Sequence, residues 1–370
     1  MSSPTETAST KRGPLVPGTV IDGRYRITGL LGQWRIGVAY RVNGPQGALT
    51  LLLAPLARGR AATFRDWVRT EVERTRAARS TALVTLQDGG LHTEQEGYLV
   101  FDAWRGHSLL EEIRLDGAFS NERACRVGEH LGRIAARAHA TGLALGDLRP
   151  STVLLCAEKP EVFVLDMGMA RGLTDYLASP PTSATAYCSP ERALKVPPSP
   201  ADDVYAIGAL LFFLLTERAP AVVKPGESKV ATPPSWVKKD EGVARYIDPV
   251  VLKAMAPRGV DRSSATELAD ALGALREVFQ LSPAAREVLG LPQDPGPFRH
   301  EPTSPFFLHD MLGVPAGAAA EASAEPSVDG TIDVSPDPSG EFDALPFTPG
   351  TRGGPPEDEP PIVAPPRRTR

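Results

Sequence analysis

Two aspartate-containing segments constrain the fold of this chain more than any other feature of its sequence. They are GLALGDLRPSTVLL and VFVLDMGMAR, and their aspartates, Asp147 and Asp166, lie 19 residues apart. Each aspartate follows an apolar stretch, where such a residue alone is more often a turn residue or a helix cap than a catalyst. The interpretation therefore depends on what precedes and follows the two segments in order.

The pattern of apolar residues divides the chain into a β-rich first part and a mainly helical second part. Alternation in GRYRITGLLG and GVAYRV predicts strands, and ALTLLLA is a third apolar run. A charged, helix-favouring stretch follows at 64–78, and apolar residues recur at helical spacing over 122–141. We predict an N-terminal lobe at about 19–101 and a C-terminal lobe at about 105–279.

Both ends of the chain differ from this central region in composition. Residues 1–18 are rich in Ser, Thr and Pro and predict a disordered leader. Residues 292–370 hold 17 of the 37 prolines, and 321–360 contain ten Asp and Glu against one Arg. Such a segment can bury little apolar surface, so we predict a Pro-rich, acidic, mostly disordered tail over 280–370.

Composition also excludes several classes of function. A net charge of -5 gives no basic excess for a nucleic-acid partner. The longest apolar run, Val204 to Leu215, has 12 residues, whereas a membrane span needs about 20. Cys125, Cys156 and Cys188 form no CxxC pair, so neither a zinc site nor a disulfide framework is predicted. The expected protein is cytoplasmic, with no membrane or nucleic-acid partner.

Three further segments follow the two aspartates: ATAYCSPE, DDVYAIGALLFFLLTERAP and IDPVVLKAMAPRGVDRSSATELADAL. In this order the five segments resemble the catalytic loop, the metal-binding loop, the Ala-Pro-Glu segment and the later helices of protein kinases. The likeness covers about residues 21–279 and is greatest to bacterial, eukaryotic-like (Hanks-type) serine/threonine kinases. It implies an α+β, bilobal protein kinase fold.

The resemblance implies a role for individual residues of this sequence. Asp147 takes the position of the catalytic base, Asp166 that of the magnesium ligand, and Glu71 that of the helix glutamate that pairs with a strand lysine. The nucleotide-binding positions fall on Gly32, Gly37, Phe101, Asp102 and Trp104, and the structural positions on Gly168, Glu191, Asp203 and Arg262.

Four departures from the family pattern affect the same site. The strand lysine aligns with Thr50, and no lysine occurs anywhere in residues 12–158. Trp34 replaces the middle glycine of the phosphate-covering hairpin, where a bulky indole would occupy nucleotide space. Thr152 replaces the second metal-binding Asn, and Arg149 replaces the catalytic-loop Lys.

Phosphoryl transfer depends on positioning and on charge stabilisation by cations, so these losses predict a pseudokinase with weak or no binding of ATP and Mg²⁺. Its expected role is that of a signalling scaffold or allosteric regulator of a protein partner, such as another kinase or its substrate. The alternative is an active, noncanonical serine/threonine kinase in which Arg35 or Arg41 replaces the lysine. A kinase-fold enzyme that transfers a group other than phosphate is a weaker third hypothesis.

Overall fold

The computed structural model describes residues 14–34, 36–104, 106–156, 161–180, 185–194, 196–227, 230–238, 242–281 and 283–288. The structural statements below concern these residues. Most of the predicted leader, Arg35 and nearly all of the predicted tail lie outside them.

The N-terminal lobe is built on an antiparallel sheet with one helix against it. The elements of this lobe are β1 (Val20–Ile21), β2 (Tyr25–Trp34), β3 (Gly37–Gly44), β4 (Gly47–Pro55), α1 (Ala61–Arg76), β5 (Leu83–Thr93) and β6 (Glu96–Asp102). In the sheet, the strands have the order β1-β2-β3-β4-β6-β5.

Both faces of this sheet are covered, which explains why β4 is apolar almost throughout. Leu51 faces a buried cluster on the outer side of the sheet, whereas Leu52 joins a second cluster on the side of α1 and the second lobe. Successive strand residues point to opposite faces, so a strand covered on both sides needs apolar residues at every position. Helix α1 buries Phe64, Val68 and Glu71 at helical spacing against this second cluster.

Three short strands join the lobes. They are β7 (His107–Ser108), β8 (Val153–Leu155) and β9 (Val162–Asp166). Strand β9 runs parallel to β5 and antiparallel to β8. The two aspartate-containing segments therefore contribute β8 and β9 to a small sheet that is continuous with the N-terminal lobe.

The C-terminal lobe is helical. Its helices are α2 (Leu109–Asp116), α3 (Asn121–Ala140), α4 (Pro200–Thr216), α5 (Pro234–Val237), α6 (Asp248–Ala254), α7 (Ala265–Gln280) and α8 (Pro283–Val288). Helix α4 contains the longest apolar run and is buried along its whole length from Asp202 to Thr216. A helix that is apolar on all sides is expected at the centre of a large core.

Helices α3 and α7 lie close together because small residues line their contact. A Cβ added at Gly132 would lie 2.9 Å from the Cβ of Ala269 and 3.0 Å from the carbonyl oxygen of Ala265. Any larger residue at Gly132 would push the helices apart.

The bilobal α+β architecture expected from the resemblance is confirmed. Within the described part of the chain, no helix has both the length and the apolar composition that a bilayer crossing requires.

Candidate functional site: the cleft between the lobes

The glycine-bearing hairpin is formed by β2 and β3, in which Trp34 pairs with Gly37. Gly32 has a φ of +146°, a conformation that favours glycine. A Cβ at Gly37 would lie 1.8 Å from the carbonyl oxygen of Leu53, so glycine is required there for the close approach of β3 to β4.

Trp34 points into the cleft and is buried, with 9% of its surface exposed. Its ring centroid lies 5.3 Å from that of Trp104, on the segment that links the lobes, and Trp104 meets Phe101 edge-on at 6.3 Å. Trp34 belongs to one apolar cluster with Leu154 and Leu165, on the C-lobe strands β8 and β9. Its indole therefore fills space between the lobes.

Asp102 ends β6 and begins the segment that links the lobes. Asp102 accepts a hydrogen bond from Nε2 of Gln87 at 2.9 Å. Burial raises the pKa of the Asp102 carboxyl above its ordinary value. The buried Nε1 of Trp34 has no hydrogen-bond partner among the described residues.

The loop that contains Asp147 is held together by its own side chains. Arg149 contacts Oδ1 of Asp147 through Nε at 3.2 Å, and a quarter of the Asp147 side chain is exposed. Burial raises the pKa of Asp147, and the charge of Arg149 acts in the opposite direction. The Thr152 hydroxyl donates to the carbonyl oxygen of Asp147 at 2.8 Å and accepts from the backbone N–H of Arg149 at 3.1 Å. Thr152 thus stabilises the loop backbone.

Asp166 and Glu71 meet in the cleft, and an arginine that the sequence analysis did not select lies between them. Arg171 donates from Nε to Oε1 of Glu71 at 2.7 Å and from Nη2 to Oδ1 of Asp166 at 2.6 Å. Its Nη1 donates to the carbonyl oxygens of Ala144 and Leu145, each at 3.0 Å. Although burial acts to lower the pKa of Arg171, Asp166 and Glu71 raise it above its ordinary value. The guanidinium therefore remains charged.

Strand β4 supplies no cation to Glu71. Thr50 is buried and lies opposite Arg41 and Phe101. Leu52, two residues further on the same face, packs in the cluster that includes Phe64 and Val68 of α1. Arg41 is exposed on β3, whereas the cations in contact with the buried Glu71 are Arg74 and Arg171, so these contacts give no support to the replacement of the lysine by Arg41. The same hypothesis for Arg35 lies outside the described residues.

Comparison with known proteins adds to this geometry. The sequence pattern of the protein kinase domain family matches residues 28–241, more than half of the chain. The chain belongs to the protein kinase domain family. A probable serine/threonine-protein kinase of Corynebacterium efficiens is 28% identical over 299 residues, which cover 75% of this kinase-like chain and 44% of that protein.

The chain is also similar to other bacterial kinases. The serine/threonine-protein kinase PknB of Mycobacterium leprae is 27% identical over 230 residues, 58% of this chain and 36% of that protein. The chain thus spans less than half the length of these relatives. The crystal structure of the Mycobacterium tuberculosis PknI kinase domain superposes with a TM-score of 0.55 and 22% identity, covering 70% of this chain and 99% of that chain. That likeness concerns the fold.

Two sets of contacts in the C-terminal lobe involve Glu191, Arg262 and Asp203, to which the kinase resemblance assigns structural positions. Nη2 of Arg262 donates to Oε2 of Glu191 at 2.7 Å. The fully buried Asp203 accepts from the backbone N–H groups of Leu145 and Gly146, at 2.8 and 2.6 Å. Asp203 therefore fixes the backbone just before Asp147, next to the carbonyls that Arg171 contacts.

Of the residues expected in the cleft, the structure brings together Glu71, Asp166 and Gly168 in one group and Asp147, Arg149 and Thr152 in another. Arg171 was missed. Its only signal in the sequence is its position five residues after Asp166, within a segment that is similar to the kinase metal-binding loop.

Proposed function

We propose that this kinase-family chain is a pseudokinase, which acts as a signalling scaffold or allosteric regulator of a protein partner, such as another kinase or its substrate. The observation that carries the proposal is the position of Trp34. The indole packs against Trp104 and shares a buried cluster with Leu154 and Leu165, so the chain's own side chains occupy the region in which the family binds its nucleotide.

The family uses ATP and Mg²⁺, and the cleft can be tested for its fit to them. One oxygen of Asp166, Oδ2, is buried with no partner among the described residues, which suits a metal ligand. Its other oxygen is bound by Arg171, and the Thr152 hydroxyl bonds to its own loop. Together with Trp34, these contacts fit ATP-Mg²⁺ poorly, so weak or no binding is proposed.

One observation favours the alternative, an active noncanonical serine/threonine kinase. Glu71 has a buried cationic partner after all, since Nη2 of Arg171 lies 2.5 Å from its Oε1. Asp147, Asp166 and Gly168 are also intact. Against this, the guanidinium that neutralises Glu71 also binds Asp166, so it is not free to pair with phosphate.

A cytoplasmic location is part of the proposal. Cys125, Cys156 and Cys188 are all free thiols, which suits a reducing compartment.

Phosphotransfer is the direct test of the proposed function. Purified protein with ATP, Mg²⁺ and a generic basic protein substrate is expected to incorporate no more phosphate than an Asp147→Asn control, because the cations that stabilise the transferred phosphoryl group are missing. Robust incorporation that the control loses would support the active enzyme instead.

A further inference from the structure

Arg171 binds Glu71 and Asp166, the carboxylates that in the kinase family contact a strand lysine and a magnesium ion. Besides the four hydrogen bonds already described, Nη2 lies 2.5 Å from Oε1 of Glu71. Its side chain is 5% exposed, and those of Glu71 and Asp166 are 0% and 2% exposed. All three nitrogens of the planar guanidinium of Arg171 therefore contact an oxygen, in a site that is almost inaccessible to solvent.

We infer that Arg171 is a resident cation of this cleft, bound where Asp166 would otherwise hold a metal ion and supplying Glu71 with the charge that β4 lacks. The inference rests on the proposed function, in which Asp166 holds no metal ion, and gives the contact of Arg171 with Asp166 as the cause. It assigns to Arg171 a positioning role, because the residue acts by holding Glu71 and Asp166.

Charge balance supports this assignment. Without Arg171, these two buried carboxylates would repel each other and lack the solvation they have in water, and one contact, from the half-exposed Arg74 to Oε2 of Glu71 at 2.9 Å, would be left to offset their charge. One guanidinium in contact with both relieves this. A metal ion bound to Asp166 would then lie close to a fixed positive charge, since Nη2 of Arg171 is 2.6 Å from Oδ1 of that carboxylate. Arg171 and a metal ion therefore compete for Asp166.

The local backbone explains how Arg171 reaches Asp166, only five residues before it. A single helical turn, Met169–Arg171, lies between Gly168 and Gly172, which have φ values of +71° and +110°. Two left-handed residues so close together turn the chain back on itself. A Cβ at Gly168 would lie 3.1 Å from Oε1 of Glu71, so the turn also needs glycine for space.

The contacts of Arg171 also join the two lobes. Glu71 belongs to α1 of the N-terminal lobe, whereas Ala144 and Leu145 precede the Asp147 loop. The helix is thereby held against the second lobe by a side chain of the protein. In this arrangement the kinase-like shape that a partner would recognise needs no bound nucleotide or metal.

The experiment titrates Tb³⁺ into the full-length protein and measures terbium emission excited through tryptophan. Trp67 is a suitable donor, because its Nε1 donates to the carbonyl oxygen of Arg171 at 3.1 Å and its ring borders Gly168. Wild-type protein is expected to give no saturable emission. Arg171→Gln, which removes the charge, is expected to give saturable emission that Mn²⁺ displaces and that Asp166→Asn/Arg171→Gln loses.

Melting curves supply a second measurement. Arg171→Gln is expected to melt roughly 6 to 20 °C below wild type, since it breaks a buried ion pair. Saturating Mn²⁺ is expected to raise the melting temperature of the variant by about 5 to 10 °C and to leave that of wild type unchanged. Arg276→Gln, which removes a partly buried 2.9 Å contact between Arg276 of α7 and Glu129 of α3, is the matched control and should gain no dependence on Mn²⁺.

The inference would be overturned if wild-type protein gave saturable Tb³⁺ emission that Asp166→Asn removes. It would also be overturned if no variant of Arg171 gave saturable Tb³⁺ emission. If Arg171→Gln does not fold, Glu71→Gln/Arg171→Gln removes the pair together and is titrated in its place, with the same expected emission from Asp166. A failure of the proposed function would be seen in a different measurement, as phosphate transfer by the wild-type protein, whatever metal ions the Arg171 variants bind.

Discussion

Asp203→Ala is expected to lower the free energy of unfolding by about 2 to 6 kcal/mol, because it leaves the buried N–H group of Leu145 and the partly buried N–H group of Gly146 without an acceptor, at about 1 to 3 kcal/mol each. Nε2 of His139 also loses its contact, at 2.8 Å, with the same carboxylate. Domains of this kind have total stabilities of about 5 to 15 kcal/mol, so the variant should be close to unfolding. Urea unfolding followed by circular dichroism measures the change.

The matched control for Asp203 is Asp270→Ala on the surface of α7. Asp270 is 59% exposed and its contact with Arg133, at 2.7 Å, is solvated. Such pairs contribute about 0 to 1 kcal/mol. If Asp203→Ala and Asp270→Ala unfolded at the same urea concentration, Asp203 would not be the residue that holds the loop before Asp147.

The pair of Glu191 and Arg262 is the second site of large expected effects. Arg262 is 1% exposed, so Glu191→Ala removes the nearer carboxylate of a buried guanidinium and leaves it only Asp202 at 3.9 Å, at a cost of about 3 to 5 kcal/mol. Arg262→Ala removes the donor to that carboxylate and to the carbonyl oxygens of Ala201, Ala256 and Pro257. It should be at least as destabilising, although Glu191 itself is 38% exposed and can be partly solvated.

Thermal and urea unfolding of both single variants, and of the double variant, measure this pair as a thermodynamic cycle. Arg133→Ala is the control, since Arg133 contacts Asp270 at the same 2.7 Å distance but is 45% exposed. Wild-type stability in either single variant would contradict the bracing role of the pair and, with it, the alignment of the C-terminal lobe.

The fold could be predicted from the sequence because it is encoded redundantly. Five segments in a fixed order, an alternating β-rich region and an all-apolar helix at α4 each indicate the same architecture. The burial of Trp34 beside the hairpin could be predicted because it depends on size: an indole in place of glycine must occupy volume wherever the hairpin lies. Its effect on nucleotide binding stays a prediction.

The cation of the cleft could not be predicted in this way. Arg171 lies beside Glu71 only because the backbone turns at Gly168 and Gly172. The sequence pattern does not predict which side chain such a turn brings into contact with Glu71. Proximity along a neighbouring strand suggested Arg41 instead, which is exposed. Thr152 gives the same lesson, because the sequence leaves open whether its hydroxyl faces a metal or its own loop, and the structure has it bonded to Asp147 and Arg149.

The central claim is tested most directly by the melting temperature of the wild-type protein with millimolar ATP and Mg²⁺. A ligand at a hundredfold excess over its Kd stabilises the folded state by about 2.7 kcal/mol, which would raise the melting temperature of such a domain by about 5 to 10 °C. With Trp34 in the cleft and Arg171 on Asp166, we expect a shift below about 1 °C, equal for adenosine and unchanged by magnesium. A large, magnesium-dependent shift that Asp166→Ala abolishes would contradict the account and support an active kinase.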